Sequence, residues 1–443
     1  MIQITRQKCV RALILAEPIS ALISECFRQR RFPVLWKIAD VVPVLKSSKS
    51  LTFENTRPIS LLPVPAKFAE RLVLDNLRSR LTTCLGENQY GIRKSSSTTH
   101  AIIAVHDFLT ALADDPDIGA SVFIGFDFSK AFDRICHRHL LNVLWQQGFP
   151  IGFLLLVKNY LYGRQQRVRL NNSKSDLKPV TSGVPQGSLL GPYLFGVYVS
   201  SLQPLYRSTL LVKYVDDSSI AVGIRKSDFF EDIQRLNAEV KHVSEWSALF
   251  NLTLNAAKTT GFIYYRGNFK DICNLESFIC CVDFQSDVRF LGVILSDTLG
   301  WKSHVDFIEK KCAQRIYILQ RIRSHTTVEQ FNIIYNLLVR SLIEYASPAF
   351  VGLSKGDSNR LQSIQNRCLK IKGLTGATDL AVRRKDAAIK LFEQILTCDT
   401  AIKQLFPSRL PSGRISVPFS RTSVRRKSFF PAVSILKSSA FCD

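Results

Sequence analysis

Leu210-Leu-Val-Lys-Tyr214-Val215-Asp216-Asp217-Ser-Ser-Ile220-Ala-Val222 decides how this chain is read. Two short apolar runs flank a tight polar centre, the pattern of a β-hairpin with two carboxylates at its tip. Adjacent aspartates repel each other and are costly to hold together without a counter-ion. A divalent cation is the usual remedy, and Mg2+ prefers such oxygen ligands. Taken alone, Tyr214 to Asp217 also fits a solvated turn.

A second carboxylate motif lies upstream: Ser121-Val-Phe-Ile-Gly-Phe-Asp127-Phe-Ser-Lys-Ala-Phe132-Asp133. Val122 to Phe128 is apolar on both faces apart from its aspartate, so it reads as a buried strand with Asp127 at its C-terminal end. A helix is expected over Ala131 to Gln147. A strand-end aspartate beside a hairpin-tip pair is the arrangement for two metal ions a few ångströms apart. Such ions activate a 3′-hydroxyl, hold a triphosphate and stabilise leaving pyrophosphate. The plainer alternative for Asp127 is a helix N-cap. Asp133 reads as a cap or a helix-surface charge.

Composition narrows the class. With 443 residues the chain can bury a large core divided into subdomains. It has no apolar run of about 18 residues, so no membrane span is expected. The N-terminus does not read as a signal peptide, because Glu17 and Pro18 interrupt the apolar stretch. A net charge of +23 suits a polyanionic partner and gives salt-sensitive, sequence-independent affinity for nucleic acid. Charge alone does not separate an enzyme from a packaging protein. The 11 cysteines form no Cys-x-x-Cys pair, and they read as reduced intracellular thiols.

In order along the chain stand Val42-Pro-Val-Leu-Lys46, Arg57-Pro-Ile-Ser-Leu-Leu62 and Asn88-Gln-Tyr-Gly-Ile-Arg-Lys94. Phe126-Asp-Phe-Ser-Lys-Ala-Phe-Asp133, Gly183-Val-Pro-Gln-Gly-Ser-Leu-Leu-Gly-Pro192 and Tyr214-Val-Asp-Asp217 follow. Leu254-Asn-Ala-Ala-Lys-Thr259 and Phe290-Leu-Gly-Val293, with Trp301-Lys302, complete the series. Together these blocks resemble the reverse transcriptase of non-LTR (LINE-type, jockey-like) retrotransposons. Some positions depart from the pattern. Val215 replaces a commoner small residue, Thr56 an aromatic and Ile92 a phenylalanine. Ser95-Ser96 stand for Gly-Arg, losing one basic residue. Met1 to Leu15 match poorly, which suggests a truncated or rearranged 5′ end.

The resemblance implies an α+β right-hand polymerase that adds deoxynucleotides to a primer 3′-OH on an RNA template. Its partners would be RNA template, DNA primer and dNTPs. The cofactor would be two Mg2+ ions, with Mn2+ as a substitute. By resemblance, Asp127 and Asp216 ligate both ions, Asp217 supports them and the Phe128 carbonyl adds an oxygen. Lys46 and Arg57 would grip the triphosphate, with Arg93 and Lys94 as further cations. Arg57 is expected in an apolar loop, not fully exposed. Phe132 matches the ring that excludes a 2′-OH, or is an ordinary core phenylalanine. Gln186 and Gly187 match a nucleotide-binding loop in which glycine lets backbone approach a base pair. Lys258 matches a lysine proposed to protonate pyrophosphate, or is a phosphate counter-ion. Phe290-Leu291-Gly292 matches the primer grip.

Fingers are expected over 1–115, palm over 116–267, primer-grip strands over 268–302 and a helical thumb over 303–395. A flexible basic tail, with nucleic-acid contact as an alternative, is expected over 396–443. Ala66 to Leu81 reads as an amphipathic helix with Phe68, Leu72, Leu77 and Leu81 on its apolar face. Thumb core candidates include Ile308, Ile316, Leu319, Ile333, Leu337 and Ile343. The stretch before Val42 is too short for a nuclease, which needs on the order of 100 residues. The chain is therefore expected to extend supplied primers without nicking DNA or degrading RNA. Its expected location is intracellular, in the nucleus or a cytoplasmic ribonucleoprotein. Two other readings are a degenerate remnant that only binds nucleic acid, and a splicing factor, for which no maturase-like region is seen.

Overall fold

The computed structural model describes residues 2–46, 55–272, 274–279, 282–397, 400–408 and 415–439, with side chains from Ile14 onward except at 272 and 401. The chain forms two compact units. One comprises Met1–Gly86, Phe128–Leu202 and Ser244–Thr253; the other comprises Glu87–Asp127, Gln203–Val243 and Leu254–Asp443.

The first unit is built on a sheet ordered Thr56–Leu61, Ile38–Leu45, Arg164–Leu170, Ser173–Lys174, with Lys178–Val180 also pairing with Arg164–Leu170. Ile38–Leu45 runs antiparallel to Thr56–Leu61 and parallel to Arg164–Leu170. The helix Val64–Thr83 buries Ala66, Ala69, Glu70, Val73, Leu74 and Leu81. This corrects the expected face: Phe68 and Leu72 are exposed. Apolar residues occupy two sides of this helix, and the small Ala66 and Ala69 select the side that packs closely.

The expected helix over Ala131 to Gln147 is interrupted. It runs over Ala131–Arg134, and a second helix starts at His137. Ile135 O accepts from Gly183 N at 2.8 Å and Phe132 O from Val184 N at 2.9 Å. These carbonyls are committed to a neighbouring loop instead of the next helical turn.

The second unit holds a five-stranded sheet ordered Asp283–Phe284, Thr260–Tyr265, Ile118–Phe126, Asp217–Arg225, Leu210–Tyr214. Its pairings are antiparallel except for Asp283–Phe284. Ile118–Phe126 is central and nearly all buried, as its two-sided apolar pattern dictates. The helix Thr98–Asp114, with Ala101 to Val105 all buried, packs on it. Helices from Lys302 onward build a separate apolar cluster around Val305, Ile308, Cys312, Phe331 and Leu361. Ile308, Ile316, Leu319 and Ile343 are buried as expected. Ile333 and Leu337 are exposed, against expectation. Leu337 lies in a π-helical stretch, Asn336–Arg340, which shifts the helical phase between them and the later core positions.

The expected flexible tail is also corrected. Ser423–Lys427 and Phe429–Ser439 are helical, and Phe429, Phe430 and Val433 join the core beside Phe392. Arg425 Nη1 pairs with the buried Asp107 carboxylate at 2.7 Å, and Ser428 Oγ donates to the same carboxylate at 2.9 Å. Three apolar side chains and a charge anchor outweigh the basic composition that suggested disorder. Among the described residues Cys26, Cys312 and Cys368 are buried free thiols, and no helix is long and apolar enough to cross a membrane.

Candidate active site

The sheet register brings the two carboxylate motifs together. Phe126 pairs with Ser218 across adjacent antiparallel strands. Asp127 and Asp217 lie one step beyond that pair, and neighbouring antiparallel positions are about 5 Å apart. Tyr214 pairs with Asp217, which leaves Val215-Asp216 as a two-residue hairpin loop. Val215 has φ 59°, a left-handed conformation unusual for a β-branched residue. Asp216 and Asp217 are exposed at the tip, whereas Lys213 is fully buried in the strand behind them. Burial pushes the Lys213 ammonium down to about 7.

Lys258 ends a short helical turn, Ala256–Lys258, and its Nζ lies 3.5 Å from Asp127 Oδ2. Asn255 N donates to Asp127 O at 2.8 Å, which ties that turn to the strand end. Asp127, Asp217 and Lys258 line one cleft of about 130 Å³ with Arg289, Phe290 and Leu291. Phe290 and Val293 close a hairpin whose loop, Leu291-Gly292, has φ 44° and 89°. Both loop residues are left-handed, as a type I′ turn requires. The Tyr345 hydroxyl bonds to Leu291 O at 2.7 Å and Thr98 Oγ1 at 2.9 Å. Arg93 belongs to the same unit and is held by its Nε, which donates to Gln89 O at 2.9 Å; Lys94 is exposed.

The other expected residues form a group in the first unit. Lys46 and Arg57 are exposed at one end of a hairpin in which Val44 pairs with Arg57. The expected loop is corrected: Arg57 lies on the edge strand Thr56–Leu61, where it is exposed. Phe132 stacks on Phe195 with centroids 4.7 Å apart and remains half-buried. Gln186 Nε2 donates to Asp133 Oδ1 at 3.0 Å, while Gln186 O accepts from Ser60 N at 2.7 Å. Gly187 has φ 111°, and a Cβ there would lie 2.9 Å from Ser60 O. Gly183 has φ 81°, and a Cβ there would lie 2.7 Å from Asp133 and Phe132 backbone atoms. Both glycines are therefore required by the protein's own backbone. Pro58, Ser60, Lys130, Asp133, Arg164 and Gln186 line a cleft of about 470 Å³. Phe128 is buried against Trp246.

Three structural supports of the candidate site escaped the sequence reading. Asp133, read as a surface charge or cap, orients Gln186, and burial pushes its carboxyl above the usual range despite that hydrogen bond. Glu70 is fully buried and accepts from Leu189 N (2.6 Å), Leu190 N (3.2 Å) and Tyr160 Oη (3.0 Å). It thereby holds the end of the Gly183–Pro192 loop. A carboxylate among Ala66, Ala69, Val73 and Leu74 was the available signal. Tyr345 carried none.

Among the described residues no three His, Cys, Asp or Glu side chains form a ready-made metal cage. The donor set still fits a hard divalent cation. Asp216 and Asp217 are exposed, the Asp127 side chain is 38 % exposed, and all offer carboxylate oxygens.

This chain belongs to the reverse transcriptase (RNA-dependent DNA polymerase) family, whose model matches residues 44–295. Its relatives place it among the non-LTR, jockey-like members, as the motifs implied, with the α+β fold expected of them. It is 28% identical over 384 residues to "Probable RNA-directed DNA polymerase from transposon BS" of Drosophila melanogaster, covering 81% of this chain and 41% of that protein. It is 25% identical over 366 residues to "RNA-directed DNA polymerase from mobile element jockey" of Drosophila funebris, covering 80% and 39%. The chain thus spans about two fifths of the length of these curated relatives. Among solved structures, telomerase from Candida tropicalis bound to a fragment of telomeric RNA aligns with TM-score 0.45 and 13% identity, over 85% of this chain and 64% of that one.

Proposed function

We propose that this chain is an RNA-directed DNA polymerase of a non-LTR retrotransposon, extending a primer 3′-OH with dNTPs on an RNA template and then on DNA. The observation that carries the reading is the cleft shared by Asp127, Asp217, Lys258 and the Phe290-Leu291 turn. It combines carboxylates for cations, a cation for phosphate and a turn for the primer strand.

Asp127 and Asp216 would hold two divalent ions, with Asp217 in support and the Phe128 carbonyl as a further oxygen. Bound Mg2+ would lower the pKa of the primer hydroxyl and neutralise charge on the triphosphate. Lys258, beside Asp127, would meet the pyrophosphate and deliver a proton to it. Lys46, Arg57 and Arg93 would pair with phosphoryl oxygens as negative charge accumulates there. Phe132 would fill the space beneath the sugar, and Gln186, oriented by Asp133, would hydrogen-bond to it. Phe290-Leu291-Gly292 would align the primer terminus for attack on the α-phosphorus, so that positioning supplies much of the rate. In subdomain terms, this work would divide among fingers (1–115), palm (116–267), primer-grip strands (268–302) and thumb (303–395), bounds that the two compact units cut across, with 87–127 in the second and 128–202 in the first.

The test is primer extension on poly(rA)/oligo(dT) with Mg2+ or Mn2+. Wild-type protein should incorporate dTTP. Asp216→Asn, which removes a ligand charge and almost no volume, should abolish incorporation while retaining template binding. Extension by this variant at the wild-type rate refutes the assignment.

A further inference from the structure

Gln89 is fully buried, yet its carboxamide serves only backbone groups. Its Oε1 accepts from Val215 N at 2.9 Å and from Gly91 N at 2.9 Å. Two backbone donors fix the amide orientation, because only oxygen accepts from N–H. Its Nε2 is left without a hydrogen-bond partner among the described residues. A buried unpaired donor opposes folding, so the orientation is retained for what the oxygen does.

The surroundings point the same way. Lys213 N donates to Asn88 O at 2.7 Å, and Tyr90 N donates to Lys213 O at 2.8 Å. The Asn88–Tyr90 segment therefore docks along the outer edge of the hairpin strand and delivers the Gln89 side chain to the turn. Gly91 supplies the clearance: a Cβ there would lie 2.7 Å from Val215 Cγ2 and 2.9 Å from Val215 N. A strained residue persists only where its surroundings over-determine it. Val215, left-handed and β-branched, is restrained by the hairpin ladder, by the Gly91 contact and by Gln89.

We propose that Gln89 is a positioning residue for the catalytic turn: its carboxamide latches the Val215 amide and so fixes Asp216, the next residue, where it must ligate metal. This rests on the polymerase reading for its catalytic consequence, but not for the latch itself.

The test uses Gln89→Met, which keeps length and removes the acceptor, and Gln89→Asn, which keeps the carboxamide but shortens the arm. Gln89→Glu keeps the acceptor. Amide hydrogen exchange at Val215 should accelerate at least about tenfold in the first two variants and stay slow in Gln89→Glu, since a carboxylate accepts from N–H at least as well. In single-nucleotide addition on poly(rA)/oligo(dT), Gln89→Met should lower the maximal rate by about 10- to 100-fold, the scale of an ångström-level misplacement. It should raise the Mg2+ concentration needed and leave primer–template Kd within about twofold, since phosphate contacts that set affinity are untouched. Val215→Gly adopts the left-handed turn without strain, so the Gln89→Met defect should shrink in that background.

Unchanged Val215 exchange in Gln89→Met and Gln89→Asn overturns the latch. A rate defect of the same size with Val215 or glycine at 215 reduces Gln89 to packing. If the wild-type protein extends no primer, the polymerase reading fails, and the exchange experiment still decides whether the latch exists.

Discussion

Glu70 offers a direct measurement of how the Gly183–Pro192 loop is held. Its carboxylate has three donors, two of them backbone N–H groups at the start of the Gly191–Tyr198 helix, and the third the buried Tyr160 hydroxyl. Glu70→Leu orphans all three. Each unsatisfied buried donor costs about 1–3 kcal/mol, while removing a desolvated charge returns part of that, so a net loss of about 3 kcal/mol is expected. Glu70→Gln keeps a carbonyl for the two N–H groups and turns an N–H toward Tyr160, whose hydroxyl can accept instead. It should be within about 1 kcal/mol of wild type, or more stable. Thermal melts should place the leucine variant about 6–12 °C below the glutamine variant, at roughly 2–4 °C per kcal/mol.

The pH dependence adds a second check. Burial raises the Glu70 pKa against the lowering pull of its hydrogen bonds. A raised carboxylate contributes stability that is complete below its unfolded pKa and is lost as pH rises through the folded value. The advantage of Glu70→Gln over wild type should therefore grow from pH 4 toward pH 8. Nucleotide KM should rise in Glu70→Leu, since Gln186 sits on the loop that loses its anchor. Equal melting temperatures for the leucine and glutamine variants would refute the account.

Three further outcomes are expected. Asp107→Ala leaves Arg425 without its buried partner and should destabilise by about 3–5 kcal/mol, read by chemical denaturation. Phe132→Val should raise ribonucleotide incorporation by up to about 30-fold if the ring blocks the 2′-OH, because about 2 kcal/mol of relieved clash converts to that ratio; an unmoved ratio assigns Phe132 to packing. Burial pushes His100 and His304 down to about 4, so each contributes stability above pH 6.5 that is lost as pH falls through 4. That contribution is about 3 kcal/mol each at full titration, and His304→Met should flatten the acid limb of a melting-temperature profile.

The hairpin bearing Asp216 and the strand ending at Asp127 were legible because alternation and two-sided burial are local properties of sequence. The type I′ loop at Leu291-Gly292 was half legible, since only its glycine advertises a left-handed conformation. Which face of Val64–Thr83 is buried was not legible: Phe68 and Leu72 make as good a stripe as Ala69 and Val73, and the partner surface decides between them. Gln89, Glu70 and Asp133 act through hydrogen bonds to residues far along the chain, and no periodicity records such pairings. Their mark in the sequence is a polar residue inside an apolar pattern, which has the same appearance whether it is buried or solvated. The C-terminal segment misled for the opposite reason. Its arginines and serines dominate composition, while Phe429, Phe430 and Val433 dominate the energetics.

The placement of Ile118–Phe126 at the middle of its sheet bears on how the protein is made. Its two neighbours, Asp217–Arg225 and Thr260–Tyr265, are encoded far downstream. At ribosomal rates of about 5–20 residues per second, roughly 100 residues must be synthesised before the first neighbour exists, a delay on the order of 10 s. Throughout that interval an apolar strand presents two open edges, the condition under which nascent chains pair with the wrong partner. Yield of folded protein should therefore depend on chaperone supply during translation more than on the stability of the finished sheet.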